Sequence, residues 1–349
     1  MSENTLKNRL DAGPIICAEG YLFEMEKRGY LQAGAFVPEV VLEYPEVVTQ
    51  LHREFVRSGS DVVQAFTYYG HREKLRIIGK EALLEPLQTN ALQIAKDVAA
   101  EFPELDLMVA GDVANTNIYN PADPQSAAEV QKMFEEQVAW AKDAGVDFII
   151  AETIQWYGEA AIALKAIKDA GLTAVVNLAI PSNDLTRDDY TPEDACKMLE
   201  DGGADVVGLN CFRGPVHTMS LLKNIRKSVS CHVAGLPVPV RTTDEHPVWF
   251  SLPDEGCDCI PGDRPFPTGI DNLYCNRYEM GEFAKECEQE NIRFIGVCCG
   301  AAPHHVREMA VALGRKPISY KYYPDMSKHF LLGTDESLKS INTEHTDKY

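Results

Sequence analysis

Cys298 and Cys299 stand side by side in "RFIGVCCG", and Cys211 closes "GLNC" well upstream. Each cysteine ends an apolar run with the composition of a buried strand. Three thiolates with a fourth position left open are a usual donor set for catalytic zinc, and soft sulfur suits zinc over magnesium or calcium. Adjacent cysteines are unusual in a strand because consecutive side chains point to opposite faces, so the strand must end or bulge there. Gly300, next in line, permits such a distortion. On spacing alone three readings stand: a zinc site, packing thiols, or a redox pair. The ten cysteines include a further close pair, Cys257 and Cys259, read as loop thiols, with a second metal site as the sharper alternative. Cys17, Cys196, Cys231, Cys275 and Cys287 sit singly among hydrophobic or helical neighbours and read as small apolar packing residues.

The elements that must position these thiols are β-rich runs alternating eight times with amphipathic ones. The strand candidates cover 14–19, 61–67, 107–113, 147–153, 174–180, 205–211, 232–238 and 293–299. Near-continuous apolar runs of this kind belong to strands covered on both faces. Between them lie helical patterns such as "YPEVVTQLHREFVRSG" and "SAAEVQKMFEEQVAWAKDAG", the second with Ser126 as its expected N-cap and Gly145 as its stop. Eight β-then-α units predict a (β/α)8 TIM barrel over 1–318, with a short C-terminal arm over 319–349 whose charged end is expected to be disordered. A doubly wound sheet is the alternative, but no GxGxxG follows the first strand. The long loop after strand seven, 239 to about 276, is too extended to be a simple connection. Barrel enzymes work at the C-terminal ends of their strands. Those ends carry Glu19, Phe66 to Tyr69, Asp112, Glu152, Asn210, Cys211, Cys298 and Cys299.

The formal charge of −20 argues against nucleic acid and anionic membrane as partners, since both demand a basic footprint. No run approaches the roughly 18 apolar residues of a membrane span. The opening "MSENTLKNRL" has no apolar core of a secretory signal. These features predict a cytoplasmic protein whose thiols stay reduced.

"GLNC" together with "GVCCG" resembles the paired motif of the zinc-dependent homocysteine S-methyltransferases. "EMEKRGYLQAG", "YPEVVTQLHREFVRSGSDVVQAFTYY" and "DFIIAET" followed by "GEAAIALKAI" are similar to the betaine-dependent branch, and the likeness spans roughly residues 8 to 315. The resemblance implies Zn2+ on Cys211, Cys298 and Cys299, with the sulfur of homocysteine as fourth ligand. It implies that Glu152 holds the amino group of homocysteine, with Glu19, Gly20 and Asn210 alongside, and that Tyr69 and Phe36 face the methyl donor. It also implies a homo-oligomer. There are departures. Ala18-Glu19-Gly20 replaces an Asp-Gly-Gly or Asp-Gly-Ala ending, Phe36 stands where tryptophan is usual, Thr153 stands where tyrosine is usual, and the arm is far shorter. The expected reaction is methyl transfer from an onium donor to homocysteine. Glycine betaine is favoured, with dimethylsulfoniopropionate, S-methylmethionine or another methylated ammonium as alternatives. A zinc hydrolase and a non-catalytic, redox-sensing thiol barrel are the rivals. His305 reads as a helix-start or packing residue.

Overall fold

The computed structural model describes residues 5–253 and 269–348. Eight parallel strands close a barrel in sequence order: β1 (Ile15–Ala18), β2 (Val62–Gln64), β3 (Met108–Ala114), β4 (Phe148–Ile154), β5 (Ala174–Leu178), β6 (Val206–Asn210), β7 (His232–Leu236) and β8 (Phe294–Val297). β1 pairs with β8 from Ile15↔Phe294 to Ala18↔Val297, which shuts the ring. All eight expected strands are present: β1, β2, β6 and β8 are shorter at both ends than the apolar runs, β5 and β7 at the C-terminal end only, and β3 and β4 are displaced one residue along the chain.

The helices are α1 (Leu6–Ala12), α2 (Tyr21–Lys27), α3 (Val40–Glu43), α4 (Pro45–Ser58), α5 (Arg72–Ile78), α6 (Leu84–Ala100), α7 (Pro124–Ala144), α8 (Tyr157–Asp169), α9 (Pro192–Asp201), α10 (Pro215–Ser228), α11 (Arg277–Gln289) and α12 (Pro303–Ala312). α7 is capped by Asp123, whose side chain accepts from the Gln125 N–H, and not by Ser126. Pro124 explains the difference: its fixed φ suits the first helical position, so the cap falls one residue before it. Ser126 turns inward instead and bonds to Asn120. Gly145 ends α7 in the left-handed conformation, as expected.

Side chains alternate along a strand, so each strand sends every second residue into the barrel. Ile15, Cys17, Val62, Met108, Ala110, Phe148, Ile150, Val175, Val206, Ala234, Leu236 and Phe294 form that inner core. Leu6 and Leu10 of α1 join it. The complementary residues face the helices in a larger cluster. Continuing the inward register by one more step carries the filling from apolar to polar: Val62 leads to Gln64, Ala110 to Asp112, Ile150 to Glu152. That polar layer is the C-terminal mouth.

In the described parts of the loop after β7, Val240 bridges Tyr274 antiparallel and two short 3-10 turns form. Cys257 and Cys259 lie outside the described residues. The segment after α12 was expected to end in disorder. Through residue 348 it carries short 3-10 turns at Ile318–Tyr322, Met326–Lys328 and Thr346–Lys348 and a four-residue helix at Ser340–Thr343.

Candidate active site at the barrel mouth

The sulfurs of Cys211, Cys298 and Cys299 gather so that all lie within 4.8 Å of one another, a group able to hold a metal ion. β8 stops at Val297, just before the pair, and Gly300 adopts φ +85°. The Cys298 N–H donates to the Pro237 carbonyl at 3.0 Å, and the Ala301 N–H returns to the Cys298 carbonyl at 3.2 Å. That turn ends the strand alternation, and the two sulfurs stand 3.9 Å apart. Just past β6 the Cys211 N–H still donates to the Leu236 carbonyl, but Cys211 and Phe212 have φ of +56° and +52°. Left-handed backbone in non-glycine residues is costly and tends to mark functional positions. Here it swings the Cys211 side chain toward β8.

Hydrogen bonds from Cys298 and Cys299 push the Cys211 thiol well down. Burial and those same bonds push Cys298 up, and the bond to Cys211 raises Cys299. A divalent metal would stabilise all three as thiolates, and the all-sulfur donor set fits zinc.

Beside the sulfurs lies a carboxylate cluster. Asn210 is its hub: its amide N–H2 reaches Glu152 at 2.9 Å, Glu19 at 3.1 Å, Thr153 Oγ1 at 3.0 Å and Cys298 Sγ at 3.7 Å. Its carbonyl oxygen accepts from the Thr153 N–H at 2.8 Å. Gln64 donates to the other oxygen of Glu152 at 2.7 Å. Burial raises Glu152 to about 7. Burial, then the charge of Glu152, raises Glu19 and Asp112 well above the usual carboxylate range. One oxygen each of Glu19 and Asp112 has no partner among the described residues. Glu19, Glu152 and Cys298 also form a second group close enough to share an ion. Glu19, Tyr21, Gln64, Tyr68, Asp112, Glu152 and Cys299 line a small cavity here, and no basic residue lines it among those described. Cys299 and three carboxyl groups line that cavity, and Cys298 is close enough to Glu19 and Glu152 to share an ion with them, a setting that suits a cation.

Gly20 acts through its size. A Cβ there would fall 2.7 Å from the Ala301 carbonyl oxygen, so only glycine lets the start of α2 lie against the cysteine turn. His305 fulfils its helix-start role: Nδ1 accepts from the Ala302 N–H, and Nε2 meets the Cys275 carbonyl. Cys17, Cys196, Cys275 and Cys287 are buried and unoxidised, and Cys231 is half-buried, as packing residues should be.

The two residues expected at the donor side differ in setting. Tyr69, with φ +59°, packs against Tyr68 at 4.3 Å. The Lys74 ammonium lies 3.9 Å from its ring centre. Phe36, with φ +56°, is buried against Phe23, which in turn meets Trp249 edge-on at 5.5 Å. Sequence reasoning passed over Gln64 and Lys74, and named Thr67 and Tyr68 only as part of a strand end. A polar residue inside the apolar run "DVVQAFT" was the available signal for Gln64. Asp112 appeared only as a strand end, and it accepts from Thr67 Oγ1.

With this geometry in place, kinship can be read. The sequence profile described as Homocysteine S-methyltransferase matches residues 20–313. Betaine–homocysteine S-methyltransferase 1 of Bos taurus is 34% identical over 311 residues, covering 87% of this chain and 74% of its own length. S-methylmethionine–homocysteine S-methyltransferase BHMT2 of Pongo abelii is 32% identical over 307 residues, covering 87% and 80%. The metallated form of the homocysteine methyltransferase MmuM from Escherichia coli superposes with a TM-score of 0.69 at 19% identity, covering 88% of this chain and 99% of that one, a likeness of fold. A methyltransferase with a thiol-lined barrel mouth is the class that fold and site define. The chain belongs to the homocysteine S-methyltransferase family, and it is an enzyme acting on homocysteine. Among the described residues no helix is long and apolar enough to cross a membrane.

Proposed function

We propose that the chain makes methionine by moving a methyl group from an onium donor, glycine betaine first, to homocysteine held on Zn2+ by Cys211, Cys298 and Cys299. The observation that carries this reading is the three-sulfur group beside a cavity lined by Glu19, Asp112 and Glu152 with no basic residue in its lining. Bound zinc would keep the substrate sulfur as a thiolate at neutral pH. Glu152 and Glu19, joined through Asn210, receive the substrate ammonium and fix the amino acid. The substrate sulfur then faces the donor's methyl carbon. The new S–CH3 bond forms as the CH3–N+ bond breaks, and the electron pair stays on nitrogen. Attack of an anion on a cation cancels charge, so a dry mouth favours it. The chain's part is positioning, since no protein nucleophile is required.

S-methylmethionine, the donor named for the Pongo relative, and dimethylsulfoniopropionate are the alternative methyl sources. A zinc hydrolase is disfavoured because the metal-capable groups among the described residues contain cysteine and glutamate and no histidine. The reducing cytosol would keep the three thiols free to bind metal.

The test is to purify the protein anaerobically, measure zinc per chain and assay methionine formation over a panel of onium donors. One zinc per chain is expected, with at least a tenfold loss of bound zinc on Cys211→Ala, Cys298→Ala or Cys299→Ala. Full zinc retention by any of these variants overturns the ligand set. Zinc without transfer from any onium overturns the donor class.

A further inference from the structure

A second cavity opens on the same face of the barrel, beside the mouth. It holds about 230 Å3. Its walls come from the loop after β3 (Asn115, Tyr119), the loop after β4 (Gln155, Trp156), the first turn of α8 (Glu159) and the segment between β5 and α9 (Arg187). Asn115 and Gln155 each lie three residues past a carboxylate of the mouth, Asp112 and Glu152. No residue lines both cavities, and the methyl transfer uses none of these side chains.

The cavity contains a carboxylate and a guanidinium that do not meet. Glu159 is 2% exposed. One of its oxygens accepts from the Thr116 N–H at 2.7 Å and from the Thr116 hydroxyl, and the other takes no hydrogen bond among the described residues. The Arg187 guanidinium lies 5.0 Å from the centre of the Trp156 ring, a stacking that guanidinium favours. Among the described residues it forms no ion pair and no side-chain hydrogen bond. Its neighbour Asp188 is taken up by the Tyr157 and Gly158 N–H groups, at 2.8 and 2.9 Å. Asn115, 4% exposed, gives its amide N–H to Asn117 at 2.8 Å, and its Oδ1 has no hydrogen-bond partner among the described residues. A buried acceptor left alone is costly unless a ligand or water fills the place. Tyr119 completes the wall. It meets Trp156 edge-on at 5.9 Å, and only glycine at 158 leaves room for its hydroxyl, since a Cβ there would lie 2.0 Å away.

We propose that this cavity binds a free α-amino acid, with the carboxylate on Arg187 and the ammonium on Glu159 and the Asn115 Oδ1. Opposite charges kept apart in one small polar space match a zwitterion, whose charged ends are fixed one carbon apart. A guanidinium braced on an indole presents its fork of N–H groups to a carboxylate. The free oxygens of Glu159 and Asn115 accept from an ammonium, which has three N–H donors and no acceptor. A simple anion would suit Arg187 and be repelled by Glu159, and a simple cation would meet the reverse. The site is separate from the place of the methyl acceptor at the sulfurs, and it stands whether or not an onium is the methyl donor.

The test is calorimetric titration of the anaerobically purified enzyme with glycine, L-serine and L-glutamine, which carry no sulfur for the thiol site. At least one should bind with a Kd of about 1 mM or tighter. Its amide, which lacks the carboxylate, and its N-acetyl form, which lacks the ammonium, should bind at least about tenfold more weakly. Arg187→Gln, at the surface, should weaken binding by about 10- to 100-fold, the range of a lost hydrogen bond to a charged group. Glu159→Gln, which keeps an acceptor for Thr116, should do the same. Zinc content should not change in either variant. Glu152→Gln, in the mouth, should leave the affinity within a few fold. The tryptophan fluorescence change on binding should vanish in Trp156→Phe. Weaker binding by all three probes, equal binding of the amide or N-acetyl form, or an affinity unmoved by Arg187→Gln overturns the proposal. Loss of binding in Glu152→Gln with Arg187→Gln unaffected places the amino acid in the mouth and overturns it too. Displacement by glycine betaine does the same, since the cavity would then belong to the methyl donor.

Discussion

Removing the side chain of Asn210 should unsettle the whole mouth, and the size of the effect can be worked from its contacts. Asn210→Ala deletes the acceptor for the Thr153 N–H, which is buried and has φ +58°. An orphaned buried N–H costs about 1–3 kcal/mol. The substitution also deletes the N–H2 that bridges Glu152 and Glu19. Bonds to charged groups contribute about 1.5–3 kcal/mol, but two hydrogens are shared over four acceptors, and raised pKa values keep part of the carboxyl population neutral. Together these give about 3 kcal/mol. At about 2 °C per kcal/mol for a chain of this size, the Tm should fall by about 6 °C. Asn210→Asp is the informative companion: it keeps an acceptor for Thr153 but adds a third carboxylate to a crowded pair. It should melt below the alanine variant at pH 7.5. Thermal unfolding followed by near-UV circular dichroism reads both, and the KM for homocysteine should rise in each. A Tm within 1 °C of wild type for Asn210→Ala, or an aspartate variant more stable than it, would refute the hub.

His52 is buried, neither ring nitrogen has a hydrogen-bond partner among the described residues, and burial lowers its pKa to about 3. The unfolded chain binds that proton near 6.5 and the folded chain does not, so stability from this group is present above 6.5 and lost as pH falls toward 3. His52→Leu should therefore reduce the pH slope of unfolding free energy by about 1.4 kcal/mol per unit between pH 6 and 4; parallel urea-denaturation profiles would count against it. Gly20→Ala should displace the Ala301 turn by a few tenths of an ångström. Zinc affinity and turnover should drop at least tenfold with a modest change in Tm, and unaltered zinc retention would show that the turn accommodates the methyl group.

Sequence pattern carried most of the barrel because its strands are apolar on both faces, and no other local structure imitates eight such runs. The short helix α1 escaped because 7 residues are too few to display a helical period. Its role in closing the inner core through Leu6 and Leu10 is a tertiary fact. The misplaced cap of α7 shows the same limit at smaller scale, since Ser126 and Asp123 are both competent caps and the position of Pro124 decides between them. In the mouth, the cysteines and Glu152 were visible as polar endings of apolar runs. The bridging by Asn210 was not, because Glu19, Glu152 and Cys298 come from three strands far apart in sequence. Lys74 was invisible for another reason. A lysine on a surface helix is unremarkable until the ring beneath it is seen.

Phe36, Tyr69, Thr153 and Cys211 hold a backbone conformation that glycine would adopt without penalty. Each costs on the order of 1 kcal/mol relative to glycine. Glycine would relieve that strain, but it would also delete the buried Phe36 ring, a loss of about 3–5 kcal/mol, and the Thr153 hydroxyl that Asn210 holds. Relief of backbone strain and loss of packing oppose each other at these positions, so a search for heat resistance would leave the strained side chains in place.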